Sequence, residues 1–501
     1  MEDHYKTFLR GTVAILVFGF LSQVVAYLTR FVFARQLSVQ EFGLFYAVLS
    51  LMTFLTAIQV LGMDSAMVVY VTKYLAKKQF TRLKKLINIL IGAKIVLSLI
   101  IITILLLFRN VLAEQFFKTP MALPLIYILS FNFLMVAFYS SFRSILRGYN
   151  KNLLFSFFDF LNNAIILVIA SVLFMFYKNV YVPGLSYALA SFLTVGVIFF
   201  VLIKTVPYFR VKSSLPASDK KKIISFSKSA FFHSMAGLIL AQVDIMMLTY
   251  IKGLSDVAYY NAVLPVANLM LFFSGSLSFV LLTTGKDLLA REKNSALNEL
   301  VSWLRKYIFI LVWGLSVIVI VYAPEILRIL FGSEYVVAYK GLMLYSLGIV
   351  FFASASINNQ ILYIFEKPQY AAKILVLVAV FNVLANIIMI PLFSMVGAVI
   401  TTVVGFALMF LLSEYYSRKL LTQASNWRVL LRGLPIFSAA AGYAAISYIL
   451  RLFLGPGYLN AAFGLVASLC IYIVLLYLLK VMSISEMRSL LGMLKSVMRS
   501  K

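Results

Sequence analysis

The chain is short of almost everything a water-facing enzyme uses. Its 501 residues include one cysteine, Cys470, and two histidines, so no intrachain disulfide forms and no cysteine-rich metal site can be assembled. Charged residues make up 12%, against about 25% in an average soluble domain. Acids are the scarcer sign, with 17 Asp and Glu beside 44 Lys and Arg. No glycine-rich phosphate loop, HExxH, zinc-ligand spacing or nucleophile elbow occurs. Ser and Thr are plentiful, yet none has a base partner at motif spacing. These absences remove the motif-borne enzyme chemistries.

What fills the space is apolar: 63% of residues are hydrophobic, and the mean hydropathy is +1.00. A single water-soluble core cannot hide that much apolar side chain. A soluble globular enzyme, a disordered chain and a fibrous repeat are therefore excluded, and an all-α polytopic membrane protein remains. Lipid satisfies no backbone N–H or C=O, so each crossing needs roughly 20 mostly apolar residues in a helix. Fourteen runs qualify, near 11–34, 43–63, 86–108, 121–142, 153–176, 183–203, 223–250, 257–283, 304–324, 341–365, 372–392, 397–417, 429–450 and 458–479. The first is too long for a signal h-region and lacks an A-x-A exit, so it reads as a retained helix.

The net charge of +27 would suggest nucleic acid in a soluble protein. Across fourteen alternating spans it sorts by side instead. Thirty-four of the 44 cations fall in or beside one set of connections and nine in or beside the other, with Lys94 deep within a span. The positive-inside bias predicts a multi-pass protein of the cytoplasmic membrane with both termini in the cytoplasm, and no nucleic-acid partner. Residues 481–501 space Met487, Leu490, Leu491, Leu494 and Met498 at helical intervals among basic residues, which predicts an amphipathic cytoplasmic tail.

Glu41–Leu49, between the first two spans, aligns without gaps with Asp256–Leu264, between the seventh and eighth. Six spans separate the copies, so both have one orientation. That predicts two parallel six-helix lobes, 1–222 and 223–425, two additional spans in 426–480, and a linker at 207–222.

Several stretches carry a resemblance. Ala34-Arg35-Gln36-Leu37-Ser38 followed by Glu41-Phe42-Gly43-Leu44-Phe45, then Leu61-Gly62-Met63-Asp64-Ser65-Ala66, are similar to the motifs around the first two helices of the polysaccharide (oligosaccharidyl-lipid) flippases. Gln242-Val243-Asp244, Ala258-Tyr259-Tyr260-Asn261-Ala262, Phe331-Gly332-Ser333-Glu334-Tyr335, and Asn382 with Asn386, Pro391 and Gly397-Ala398 resemble later motifs of the same family, in the same order. This family is a branch of the multidrug/oligosaccharidyl-lipid/polysaccharide exporter superfamily. Ser38, where the pattern prefers glycine, and a weak third-helix stretch depart from it. The resemblance implies alternating access between two lobes, and a lipid-linked oligosaccharide, an isoprenoid diphosphate sugar, carried out of the cytoplasmic leaflet for glycan or polysaccharide biosynthesis. It implies a transporter rather than an enzyme, membrane lipids as surroundings and no cofactor. Work beside a polysaccharide polymerase and glycosyltransferases stays open.

An anionic diphosphate needs cations and hydrogen-bonding groups near the spans, and intramembrane ionisable residues are costly enough to be functional candidates. Arg30, Arg35, Lys94, Gln23, Tyr259 and Asn261 are the substrate-binding candidates. For Lys94 the alternative is snorkelling to the headgroups; for Arg35 it is anchoring the turn. Arg143 and Arg147 read as positive-inside anchors. Asp244 and Asp159 are candidates for proton or sodium coupling, with a structural ion pair as the alternative. His233 reads as a neutral, hydrogen-bonded histidine. Two other functions compete. An ion-coupled multidrug exporter of the same superfamily would favour buried acids. A membrane glycosyltransferase would need larger external loops with acidic metal ligands.

Overall fold

The computed structural model describes residues 2–205, 216–421, 438, 441–452 and 458–478, and side chains within the helices from 17 onward except at a few positions. The linker at 207–215, the start of the thirteenth predicted span, the side chain of His233 and the predicted tail at 481–501 lie outside the described residues. Every described element is helical, and no strand occurs among the described residues. In chain order they are α1 (Glu2–Gln36), α2 (Val39–Val60), α3 (Met63–Ala76), α4 (Phe80–Leu107), α5 (Arg109–Val111), α6 (Ala122–Gly148), α7 (Asn152–Phe176) and α8 (Tyr181–Thr205). There follow α9 (Ala217–Ile251), α10 (Leu254–Asn268), α11 (Leu271–Ala290), α12 (Asn294–Val321), α13 (Ala323–Leu330), α14 (Tyr339–Ile364), α15 (Pro368–Leu420), α16 (441–452) and α17 (Tyr458–Leu478).

Nine stretches among the described residues are long and apolar enough to cross a membrane, and 235–251 and 466–478 are shorter apolar helices. Large apolar side chains point outward along them, including Leu107, Met175, Phe176 and Leu392. In water that surface would drive aggregation; against lipid it costs nothing.

Two departures from the predicted spans have physical causes. The second predicted span, 43–63, is followed by a second helix and not by a connection. Leu61 and Gly62 adopt left-handed φ of 43° and 73°, and the chain restarts as α3. Asp64 and Lys73 dilute the hydropathy of α3 and hid it. A Cβ on Gly62 would meet the Ser227 carbonyl oxygen at 2.2 Å, so glycine is required by space as well as by φ. Second, α15 holds 53 residues. A straight helix of that length would run about 80 Å, far beyond a hydrocarbon core of about 30 Å. Ser394, at φ 53° and ψ −137°, breaks it. Tyr370 and Tyr416 stack at 4.5 Å between centroids, whereas 46 residues of straight helix would hold them about 70 Å apart. The run is therefore a hairpin whose limbs contain the predicted spans 372–392 and 397–417.

The chain forms two compact units: Met1–Asn261 with Ala379–Ala398, and Ala262–Val378 with Val399–Lys501. In the first, Met67, Val71, Tyr74, Leu86, Leu90, Ile145 and Leu146 make a core between α3, α4 and α6. The signature after α1 is structural here. Ser38 caps α2 in a reciprocal pair with Glu41, its side chain accepting from the Glu41 N–H. A Cβ on Gly43 would lie 1.9 Å from the Leu254 carbonyl oxygen. Because that obstacle is backbone, Gly43→Val is expected to cost at least 3 kcal/mol of stability, roughly the overpacking limit; the thermal midpoint of the purified variant measures it.

In the second unit the C-terminal helices are bolted to α12. Tyr322, Tyr443 and Tyr472 cluster there, the Tyr472 hydroxyl donates to the Ile310 carbonyl at 2.7 Å, and Arg451 pairs with Glu325 at 2.8 Å.

Candidate functional site

The predicted site residues separate into three kinds once their partners are known. Asp159 and Lys94 are closed ion pairs. Arg143 on α6 bonds to Asp159 on α7, and the Tyr139 hydroxyl donates to the other carboxylate oxygen at 3.0 Å. Lys94 on α4 is only 1% exposed, so it does not snorkel. Its ammonium donates to Asp64 at 2.6 Å, to Ser140 at 2.6 Å and to Ser141 at 3.0 Å. An ammonium has three donors, and all three are used. The Asp64 carboxylate keeps 27% of its surface. The network continues inward: Ser98 donates to the Lys94 carbonyl at 2.6 Å and accepts from Gln59 at 2.9 Å.

Asp244 differs. It is 1% exposed on α9, accepting from the Tyr260 hydroxyl at 2.5 Å and from the Asn386 amide at 2.6 Å. The same amide group of Asn386 reaches Asn382 at 3.2 Å, one turn away on α15. Three motif fragments, from α9, α10 and the first limb of the hairpin, thus meet at one carboxylate that accepts from an amide N–H and a hydroxyl. Tyr260 makes this contact, while Tyr259 beside it is half-buried. Asn261 is buried and spends its amide on its own helix, donating to the Val257 carbonyl at 3.0 Å.

Arg30 is the third kind. Half-buried on α1, its guanidinium lies 4.7 Å from the centroid of the Tyr46 ring, and Tyr27 and Tyr187 stand near enough to feel its charge. Among the described residues no hydrogen bond or ion pair reaches it. Its planar face is held and its five N–H donors are left to a ligand. Gln23, exposed, stands two turns earlier on the same helical stripe, about 10 Å along the axis. Arg35 is exposed in the last turn of α1, where a cation complements the helix dipole.

The sequence pointed to neither Asp64 as the partner of Lys94 nor the Arg305 network. Arg305 on α12 donates to Asn358 at 2.7 Å and to Glu414 at 3.0 Å, and Arg418 shares that carboxylate at 2.6 Å. The usable signal is the scarcity of acids: a buried cation must find one, and few are within reach. Among the described residues no group of three His, Cys, Asp or Glu side chains could hold a metal ion.

Comparison with known proteins follows the same lines. Residues 8–282 match the family model described as polysaccharide biosynthesis protein. An uncharacterised membrane protein of Methanocaldococcus jannaschii is 29% identical over 82% of this chain and 84% of its own. A probable low-salt glycan biosynthesis flippase, Agl15 of Haloferax volcanii, is 22% identical over 40% of this chain and 42% of its own. Among solved structures, the lipid II flippase MurJ in an inward closed conformation superposes with a TM-score of 0.75 at 15% identity, covering 92% of this chain and 98% of that one. An inward-facing multidrug resistance MATE family transporter of the MOP superfamily gives 0.69 at 14% identity, covering 80% and 94%. The likenesses in structure show the fold, and the family model spans more than half of the sequence: the chain belongs to the polysaccharide biosynthesis protein family, multi-pass membrane proteins with the flippase fold that its motifs resemble.

Proposed function

We propose that this protein is a flippase that carries a lipid-linked oligosaccharide, an isoprenoid diphosphate sugar, out of the cytoplasmic leaflet by alternating access of two six-helix lobes, 1–222 and 223–425. Arg30 carries the reading. A guanidinium fixed on an aromatic face, with no carboxylate answering it among the described residues, suits a planar, bidentate grip on an anionic diphosphate. Lys94 is not part of that grip, because Asp64 and two serines consume it. The flippase names among the relatives support the same substrate class. Arg35 and Gln23 extend the cation site along α1, and Tyr259 offers a ring for stacking on sugars. The protein is a transporter, with both termini in the cytoplasm and no cofactor beyond a coupling ion.

Asp244 is the coupling residue, taking up a proton or a sodium ion. The burial of the carboxylate and its neutral partners, the Tyr260 hydroxyl and the Asn386 amide that also reaches Asn382, support this role, and Asp159, closed by Arg143, is set aside. The fold shared with a multidrug transporter favours a second reading, export of a cationic drug driven by the same ion.

Reconstitution decides between them. Proteoliposomes are expected to move a fluorescent isoprenoid diphosphate oligosaccharide and to leave a cationic dye in place; movement of the dye alone overturns the flippase. An imposed proton or sodium gradient is expected to speed transport, and Asp244→Asn to erase that acceleration. An unchanged gradient response in the variant removes Asp244.

A further inference from the structure

Three helix ends meet in the first unit at one carboxylate. Asp219, in the first turn of α9, accepts from the Tyr74 hydroxyl on α3 at 3.0 Å and pairs with Arg82 on α4 at 3.3 Å. The Tyr74 hydroxyl, buried at the junction, is a donor at neutral pH as any phenol is. The Asp219 side chain is 15% exposed and is consumed by the junction.

Around it, apart from Arg82, the cations are exposed lysines. Lys77 and Lys78 follow the end of α3, with Lys78 at a left-handed φ of 54°, and Lys220, Lys221 and Lys222 follow Asp219 on α9. All five are exposed, as is much of Arg82. Five lysines and Arg82 thus lie within four residues of Asp219 or of its partner Tyr74, or pair with it directly. Beside them, apolar side chains are exposed: Phe80 at the start of α4, and Ile224 and Phe226 within two turns of the lysine triplet. A basic rim with apolar side chains immediately adjacent is the profile of a surface at the headgroup level of a bilayer. The like charges repel one another unless anions sit among them. Topology alone needs cations on one side; it does not need them concentrated within a few residues of a three-helix junction whose nearest acid is spent as its pin.

We propose that the α3–α4–α9 junction is a binding site for the phosphate headgroups of anionic phospholipids, its lysines holding the headgroup and Phe80, Ile224 and Phe226 lying against the acyl chains. Each cation near an anionic surface contributes on the order of 1 kcal/mol, so removing three weakens retention on the order of 100-fold. The site stands apart from Arg30 and Asp244 and does not depend on the transport assignment.

The test is retention of phosphatidylglycerol by the purified full-length protein, read by native mass spectrometry against phosphatidylcholine. Lys220→Gln with Lys221→Gln and Lys222→Gln is expected to weaken phosphatidylglycerol binding on the order of 100-fold, and Lys77→Gln with Lys78→Gln to weaken it by a smaller factor. A control removing three exposed cations of the second unit, Lys286, Lys293 and Lys367, is expected to leave it unchanged. Equal loss in the control shows diffuse charge and overturns the site, as does undiminished binding in the lysine variants. Inorganic pyrophosphate is expected to compete weakly. Complete displacement at low concentration would make the ligand a free phosphate and overturn the lipid assignment.

Discussion

Asp64→Ala is expected to destabilise the protein by about 3–5 kcal/mol, the cost of leaving a buried charge without its partner. Lys94 has no route to solvent at 1% exposure, and Ser140 and Ser141 supply dipoles rather than charge. The reverse change is milder. Lys94→Met leaves Asp64 with 27% of its side chain exposed, where it can be solvated, and puts a flexible apolar side chain in the gap. The double variant, Asp64→Ala with Lys94→Met, is therefore expected to be more stable than Asp64→Ala alone. Thermal unfolding of the purified proteins in detergent reads all three. If the double variant is no better than the single one, the penalty does not come from the stranded ammonium. The same measurement protects the transport reading, since loss of flipping in a Lys94 variant would reflect a loosened α3–α4–α6 packing and not a lost substrate contact.

The second large effect is the opposite in kind. Arg30→Gln is expected to reduce transport of a diphosphate-linked oligosaccharide by roughly 10- to 100-fold, the value of a charge-assisted hydrogen bond to the ligand. Stability should change by no more than about 1–2 kcal/mol, because the resting protein loses only a cation–π contact with Tyr46. Arg30→Lys keeps the charge but loses the planar fork, and is expected to fall between the two. Transport rates in proteoliposomes, set beside thermal midpoints, separate this from a folding defect. Full activity in Arg30→Gln would remove the diphosphate grip from α1.

The membrane class was plain in the sequence because lipid allows so little choice. A crossing requires a long apolar helix, and 63% hydrophobic residues leave no other class. What hydropathy missed was α3, whose Asp64 and Lys73 made it look like a connection. The missed helix and the missed partner have one cause: Asp64 dilutes the local hydropathy because it exists to meet Lys94, thirty residues on. Pairings of this sort carry no period. Arg305 meets Glu414 across 109 positions, and no pattern within either helix announces it. The Asp244 cluster was half legible. Its three fragments stood in the family motifs, but only the hairpin brings Asn386 to α9. The sequence shows Arg30 as a cation near the outer end of the first span and a candidate for the diphosphate; that Tyr46 holds it by the face is not visible from a separation of sixteen residues across a helix boundary.

The break at Ser394 bears on how the chain is made. The Met395 N–H, the first donor of the second limb, is accepted by the Asp256 carboxylate at 3.0 Å. Asp256 is the repeat's counterpart of Glu41, yet Glu41 caps its own helix and Asp256 caps one that begins 139 positions later. During synthesis the N-terminal part emerges first. The acceptor is thus already installed when the ribosome delivers residue 395, and the turn has its partner waiting. Gly397, whose Cβ would lie 2.1 Å from the Met389 carbonyl oxygen, lets the limb double back at once. The earlier segment serves as a template on which the later hairpin is finished, so a defect at Asp256 would surface as a late insertion error far downstream of the altered codon.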